Sequence, residues 1–238
     1  MKRLSFLIIA IFLLFATTAY AGLLDDVMKT LGGTSRGGSD DSTIISGLKE
    51  ALSIGTDNAV KNVSQVDGYF GNQAIKILMP EKIQKVADIL KSIGYQKQVD
   101  DFVFSMNRAA EKAAPQAASI FVGAIKEMTF EDARKILNGG DTAATDFFKS
   151  KTQDKIYSAF KPIISSSVNE VGVTHSYKEM MGKYETLPFM STTSIDLDHY
   201  VTTKAMDGLF YMVGQEEKKI RTNPAARVTD LLKTVFGK

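Results

Sequence analysis

The sequence predicts an all-α protein: a single compact multi-helix bundle preceded by a signal peptide and a flexible N-terminal linker. Three observations predict it. Apolar residues recur at helical spacing, as in Ile83, Val86, Ile89, Leu90 and Ile93. Helix boundaries carry their signals, from TFED at residues 129–132 to the Asn223–Pro224 pair. Alternating runs of period two, the mark of half-buried strands, are scarce, and no internal repeat is present.

Taken in order, residues 1–21 have a basic start at Lys2 and Arg3, an apolar stretch from Leu4 to Ala16, and small residues at Ala19 and Ala21. This is the pattern of a secretory signal peptide cleaved after Ala21. Its apolar stretch falls short of the roughly 18 to 20 residues a spanning helix needs, so no stable transmembrane span is expected in the mature form. We expect an exported, periplasmic protein, possible contact with a membrane being peripheral. Residues 22–41 hold a short amphipathic segment, GLLDDVMKTL, and the Gly/Ser/Asp-rich linker GGTSRGGSDDS.

The helical domain is expected over 42–238. Ser42 is placed to cap ISGLKEALSIG, and TDNAVKNVSQ continues with Ala59, Val63 and Val66 at helical spacing, which reads as two antiparallel helices broken at Gly55. DGYFGN is a turn, and AIKILM a brief extended or helical piece before Pro80. Pro80 suits a helix start, since it lacks the amide that would go unpaired there. The helix that follows ends at Gly94. A longer helical region runs from Gln96 to Met128, bent at Pro115. TFED caps ARKILNGG by a reciprocal Thr–acid pair. DTAATDFFKSKTQDKIYSAFKPIISSSVNEVG reads as a short helix followed by a longer one with a bend at Pro162. Gly182 to Ser194 has no helical stripe and reads as a loop. Asp196 or Asp198 caps the next helix, and Asn223 the last, with Pro224 at its first position.

Composition narrows the function. With no cysteine, thiol catalysis, disulfide exchange and thiolate zinc sites are excluded. The chain has 29 basic and 27 acidic residues, and the excess, Lys2 and Arg3, leaves with the signal peptide. A balanced mature chain carries no nucleic-acid footprint. No phosphate-binding Gly-rich loop, calcium loop or nucleophile elbow occurs, and no cofactor is expected.

Two polar clusters are candidates for binding a ligand or partner. In FSMNRAAEKAAPQA, Asn107, Arg108 and Glu111 share one helix face. Such a face holds a small anion or a polar headgroup, or else ties neighbouring helices together. The structural reading is favoured, because a carboxylate beside a guanidinium stays ionised and makes a poor general acid. In EEKKIRTNPAARVTDLL, Glu216, Glu217, Arg221, Asn223 and Arg227 surround a helix break whose free amides attract an anion, or are capped by Asn223 itself. A third group, His175 and Glu179 four apart, with Asp196, Asp198 and His199, would make a divalent-metal or hydrolytic site if the two halves met in space. Neither half has the spacing of a known metal motif. The methionines, Met106, Met128, Met180, Met181, Met190, Met206 and Met212, and Phe102, Phe104, Phe121, Phe147 and Phe148 fill a large core or line an adaptable apolar cavity.

The succession GLKEAL, NRAAEKAAP, AIKEMTFEDARKIL, GDTAATDFF, LF and EEKKIRTNPAARVTDLLKTVFG resembles, in order and over Gly47 to Gly237, the bacterial family DUF4197. The resemblance implies an exported, largely helical protein of Gram-negative bacteria, with no enzyme activity or cofactor assigned. Asn107, Arg108, Glu111, Asp132, Asp141, Thr145, Glu217, Arg221, Asn223, Pro224 and Arg227 match the family pattern, which gives them no roles. The first expectation is therefore a non-enzymatic periplasmic binding or interaction module with a protein partner. The alternatives are a binder of lipid or another hydrophobic small molecule, and a metal-dependent hydrolase.

Overall fold

The computed structural model describes residues 38–170, 178–179, 181–184, 195–223, 225, 230 and 233. By contact the chain falls into two units, Met1–Thr43, described only over the first turns of a helix, and Ile44–Lys238. The described residues form seven α-helices and no strand: α1 Gly38–Ser64, α2 Glu81–Ser92, α3 Gln96–Ala113, α4 Ala117–Glu127, α5 Phe130–Leu137, α6 Ala143–Glu170 and α7 Leu197–Thr222. The expectations on residues 1–37 lie outside the described residues.

α1 is one helix of 27 residues, without the break expected at Gly55. Leu48, Ala51, Leu52, Ala59, Val60 and Val63 are buried at helical spacing. Gly55 lies on that same face: a Cβ there would sit 3.5 Å from Ile220 Cδ1 and 3.6 Å from Glu216 Cβ of α7. These are ordinary van der Waals distances, so an alanine would fit there, and Gly55 is tolerated within the helix at a cost of about 1 kcal/mol against Ala. Val66, grouped with α1 on spacing, lies beyond the helix end and is exposed.

α2 follows Pro80 as expected, buries Ile83, Val86, Ala87 and Leu90, and is stopped by Gly94, whose φ of 97° only glycine adopts without strain. α3 and α4 are separated by a 3-10 turn, Ala114–Gln116, with Pro115 near its start. Ala109, Ala110, Ala113, Ala114 and Ala117 around this bend are fully buried, so other helices approach its backbone closely. At α5 the capping box is complete: Asp132 N–H donates to Thr129 Oγ1 at 3.1 Å, and Thr129 N–H donates to Asp132 Oδ2 at 3.1 Å.

α6 is a single helix of 28 residues, where a short and a longer helix were expected, and Pro162 lies inside it. α6 and α7 make the most extensive helix pair, with α3 and α4 also packed on α6. Phe121 of α4 meets Phe148 of α6 at 5.1 Å and Phe210 of α7 at 6.1 Å, edge to face, at the centre of the core. Met106, Met128 and Met181 are buried there too, whereas Phe104, expected inside, is 39% exposed. Of the expected loop Gly182–Ser194, residues 182–184 are helical, and the remainder lies outside the described residues.

Candidate functional site

The polar face of α3 is largely occupied by backbone. After α1 the chain turns through Asp67, in the left-handed region at φ 65°, and Gly68, where a Cβ would fall 2.5 Å from the Asn62 carbonyl oxygen. This turn aims two successive amides the same way, a concavity suited to an anion. Glu111 fills it: Tyr69 N–H and Phe70 N–H donate to its Oε1 at 3.0 and 3.2 Å. Arg108 pairs with the other oxygen of Glu111 and, at 2.7 Å, with Asp67. The guanidinium also stacks 4.5 Å over Phe104, which meets Phe70 edge to face at 5.2 Å. Burial tends to lower the Arg108 pKa, but the bonds to Glu111 and Asp67 outweigh it and the net shift is upward.

Asn107 is fully buried and grips the chain of Ile77 at two points. Ile77 N–H donates to Asn107 Oδ1, and Asn107 Nδ2 donates to Ile77 O, both at 2.8 Å, with a further bond from Nδ2 to Val103 O. Tyr69, between these anchors, donates its hydroxyl to Ala205 O of α7 at 2.6 Å. Burial, then the charge of Glu111, push its phenol pKa up, so it remains a protonated donor. Gly208 makes room for the ring, since a Cβ there would lie 2.7 Å from Tyr69 Cε1. The cluster thus joins the α1 turn, the 76–80 segment, α3 and α7.

The second cluster is built on the same plan. Glu217, buried on α7, accepts from Ala144 N–H and Thr145 N–H at 2.9 Å and from the Thr145 hydroxyl at 2.8 Å. It caps the N-terminus of α6, where the helix dipole favours a carboxylate. Arg221 donates to Glu217 Oε1 through Nε at 3.0 Å and Nη2 at 2.9 Å, and through Nη2 to Ile136 O at the end of α5. Glu216 takes Asn58 Nδ2 at 3.2 Å and pairs with Lys219. Asn223 follows α7 and accepts from Ala225 N–H at 3.0 Å, the bond an N-cap makes, so it takes one of the amides that an anion was expected to find. Arg227 lies outside the described residues.

The proposed metal residues have other partners. Asp196 caps α7 by accepting from His199 N–H at 2.9 Å, Asp198 accepts from Ser165 Oγ at 2.6 Å, and His199 Nδ1 meets the Tyr157 hydroxyl at 2.9 Å. Glu179 is exposed, and His175 lies outside the described residues. Among the described residues no group of three His, Asp or Glu is placed to hold a metal ion.

Three concavities differ in size. A recess of about 30 Å³, lined by residues such as Leu52, Ile136, Phe148 and Ile220, has room for a water. A second, of about 200 Å³, lies between Ser53–Asp57 of α1 and Ala118 and Val122 of α4. An open groove of about 1020 Å³ runs between residues 74–84 and one face of α7. Leu78, Pro80, Tyr200 and Tyr211 are among its walls, and Tyr200 donates to Leu78 O across it at 3.0 Å. Sequence reasoning did not single out Leu78, Tyr200 or Tyr211. The available signal was the alternation within IKILM, where Ile75, Ile77 and Met79 are buried while Leu78 is 60% exposed.

Among the described residues no helix is long and apolar enough to cross a membrane. No curated protein and no solved structure matches the chain. The family model of DUF4197, described as a protein of unknown function, matches residues 38–237, so it takes in both buried clusters and the groove, and the chain belongs to that family.

Proposed function

We propose that the chain is a non-enzymatic binding module that acts in the periplasm, with the groove between residues 74–84 and α7 as its binding face and a polypeptide as its partner. The observation that carries the reading is the distribution of space: about 1020 Å³ in the groove against about 200 Å³ and about 30 Å³ in the two other concavities. A pocket for a small ligand takes roughly 300 to 1,000 Å³, and the groove reaches that size. The polar clusters support it from the other side, because the carboxylates of Glu111 and Glu217 are spent on backbone amides. Neither is left to act as an acid or base. The periplasmic setting rests on the signal-peptide pattern of residues 1–21, and an intact mass beginning at Gly22 would establish it.

A second reading, a hydrophobic small molecule lying in the groove, is favoured by the apolar walls at Leu78, Met79, Pro80, Tyr200 and Tyr211. One experiment separates the two. A photoreactive phenylalanine analogue is placed at Leu78 or Tyr211, and as controls at Ile93 or Phe130, which are exposed apolar positions outside the groove walls. Polypeptide adducts from the groove positions and none from the controls are expected. Adducts of lipid mass favour the second reading, and adducts from the controls alone overturn both.

A further inference from the structure

Residues 76–80 behave as a strand that has no sheet. Ile75, Ile77 and Met79 point inward while Leu78 points out, the period of an extended chain. Ile77 offers both its N–H and its C=O to one side, where the Asn107 amide takes them as a neighbouring strand would. In an extended chain the next residue offers its pair to the opposite side. Leu78 does so: its carbonyl accepts from the Tyr200 hydroxyl of α7. Its N–H has no partner among the described residues. One edge is thus closed by a side-chain amide; on the other, Lys76 N–H goes to Asn72 O, Pro80 O accepts from Ile83 N–H, and Leu78 is held only by a phenol.

That second edge faces the groove, and the charges lining the groove cancel: Lys76, Lys82 and Lys204 stand against Glu81, Asp196 and Asp207. Such a wall selects no charged occupant. It offers main-chain hydrogen bonds and apolar contact, the chemistry of strand addition. A lipid chain would leave the Leu78 N–H unpaired, whereas a peptide carbonyl satisfies it.

We infer that the groove takes an uncharged, extended polypeptide segment of a partner, which adds as a strand along the Leu78 edge. The inference rests on the groove reading above and specifies its occupant. A backbone N–H of the segment donates to Leu78 O in place of the Tyr200 hydroxyl, and a backbone C=O accepts from Leu78 N–H. Tyr200 is the placeholder that the segment displaces. Lys76 N–H is already taken by Asn72 O, and Pro80 has no N–H and gives its carbonyl to Ile83 N–H, so the segment pairs with Leu78 alone, through these two bonds.

The test uses the mature chain and a displayed library of random heptapeptides. A selected peptide is synthesised with each backbone nitrogen methylated in turn, and its affinity is measured by calorimetry. This pairing predicts that methylation weakens binding about tenfold or more at the one nitrogen that donates to Leu78 O and leaves the others within about twofold. It also predicts that Tyr200→Phe, which frees the Leu78 carbonyl, tightens binding about fivefold. A flat methylation profile with no gain from Tyr200→Phe, while the peptide still crosslinks to the photoprobe at Leu78, overturns strand addition and leaves the groove reading standing. Selection of no peptide, or crosslinks at Leu78 only to lipid or to a second copy of the chain, overturns the polypeptide occupant itself.

Discussion

Replacing Asn107 with alanine removes the grip on Ile77 without altering any charge. Ile77 is 2% exposed, so its N–H and C=O would both lose their partner where water does not replace it. An unsatisfied buried group costs about 1 to 3 kcal/mol, and two such groups give about 4 kcal/mol. Val103 O also loses the bond from Asn107, but as a carbonyl within α3 it keeps its helical partner. Against a total stability of about 5 to 15 kcal/mol this is a large fraction. For a domain of this size each kcal/mol moves Tm by about 2 to 4 °C, so a fall of about 8 to 16 °C is expected in a calorimetric or circular-dichroism melt. Asn107→Leu restores the volume but not the bonds and should fall nearly as far, which separates hydrogen bonding from cavity formation. A Tm within about 2 °C of the parent for both variants would refute the reasoning and return Asn107 to the list of binding residues.

Glu217→Ala removes the two bonds that Arg221 makes to the carboxylate and uncaps α6, and should cost about 3 kcal/mol in urea unfolding. Arg108→Ala should be milder, about 1 to 2 kcal/mol, because Glu111 keeps both of its amide bonds and the guanidinium is partly exposed; a folded variant that still binds its partner in the groove is the expected outcome. Thr129→Ala should cost about 1 kcal/mol at neutral pH through the lost cap. It should also flatten the acid limb of stability. The Thr129 hydroxyl, then the Thr129 N–H, hold the Asp132 pKa below the usual carboxylate range. The Asp132 contribution is therefore present above the unfolded carboxylate pKa of about 4 and is lost as pH falls through the lower folded value. Melts between pH 2 and 7 check this, and an unchanged acid slope would count against it.

Local signals were legible in the sequence wherever the physics itself is local. The α2 stripe, the Thr129–Asp132 box, the stop at Gly94 and the cap at Asp196 each depend on residues within a turn of one another, and each appears where the pattern placed it, save that Ile93 of the stripe follows the helix and is exposed. Gly55 was misread as a break because a single glycine inside a helix costs only about 1 kcal/mol, which the tertiary packing of α1 outweighs. The short helix expected ahead of the longer one is instead continuous with it in α6. The Arg108–Glu111 pair could be read from spacing, but its third member, Asp67, and the amides that Glu111 binds belong to a turn distant in sequence. The groove was the least legible part. Its walls, IKILM and one face of α7, meet only in the folded chain, and the alternation that marks the strand spans too few residues to outweigh a helical background.

The account holds that the bundle interior is full and that binding belongs to an open groove suited to a polypeptide. Native mass spectrometry of the mature chain, purified gently and under conditions that preserve known lipid complexes, tests this most directly. A bare chain mass, or the chain with a releasable polypeptide, is the predicted result. A reproducible lipid-sized adduct that survives Leu78→Asp and Tyr211→Asp would contradict it, because it would place the ligand away from the groove.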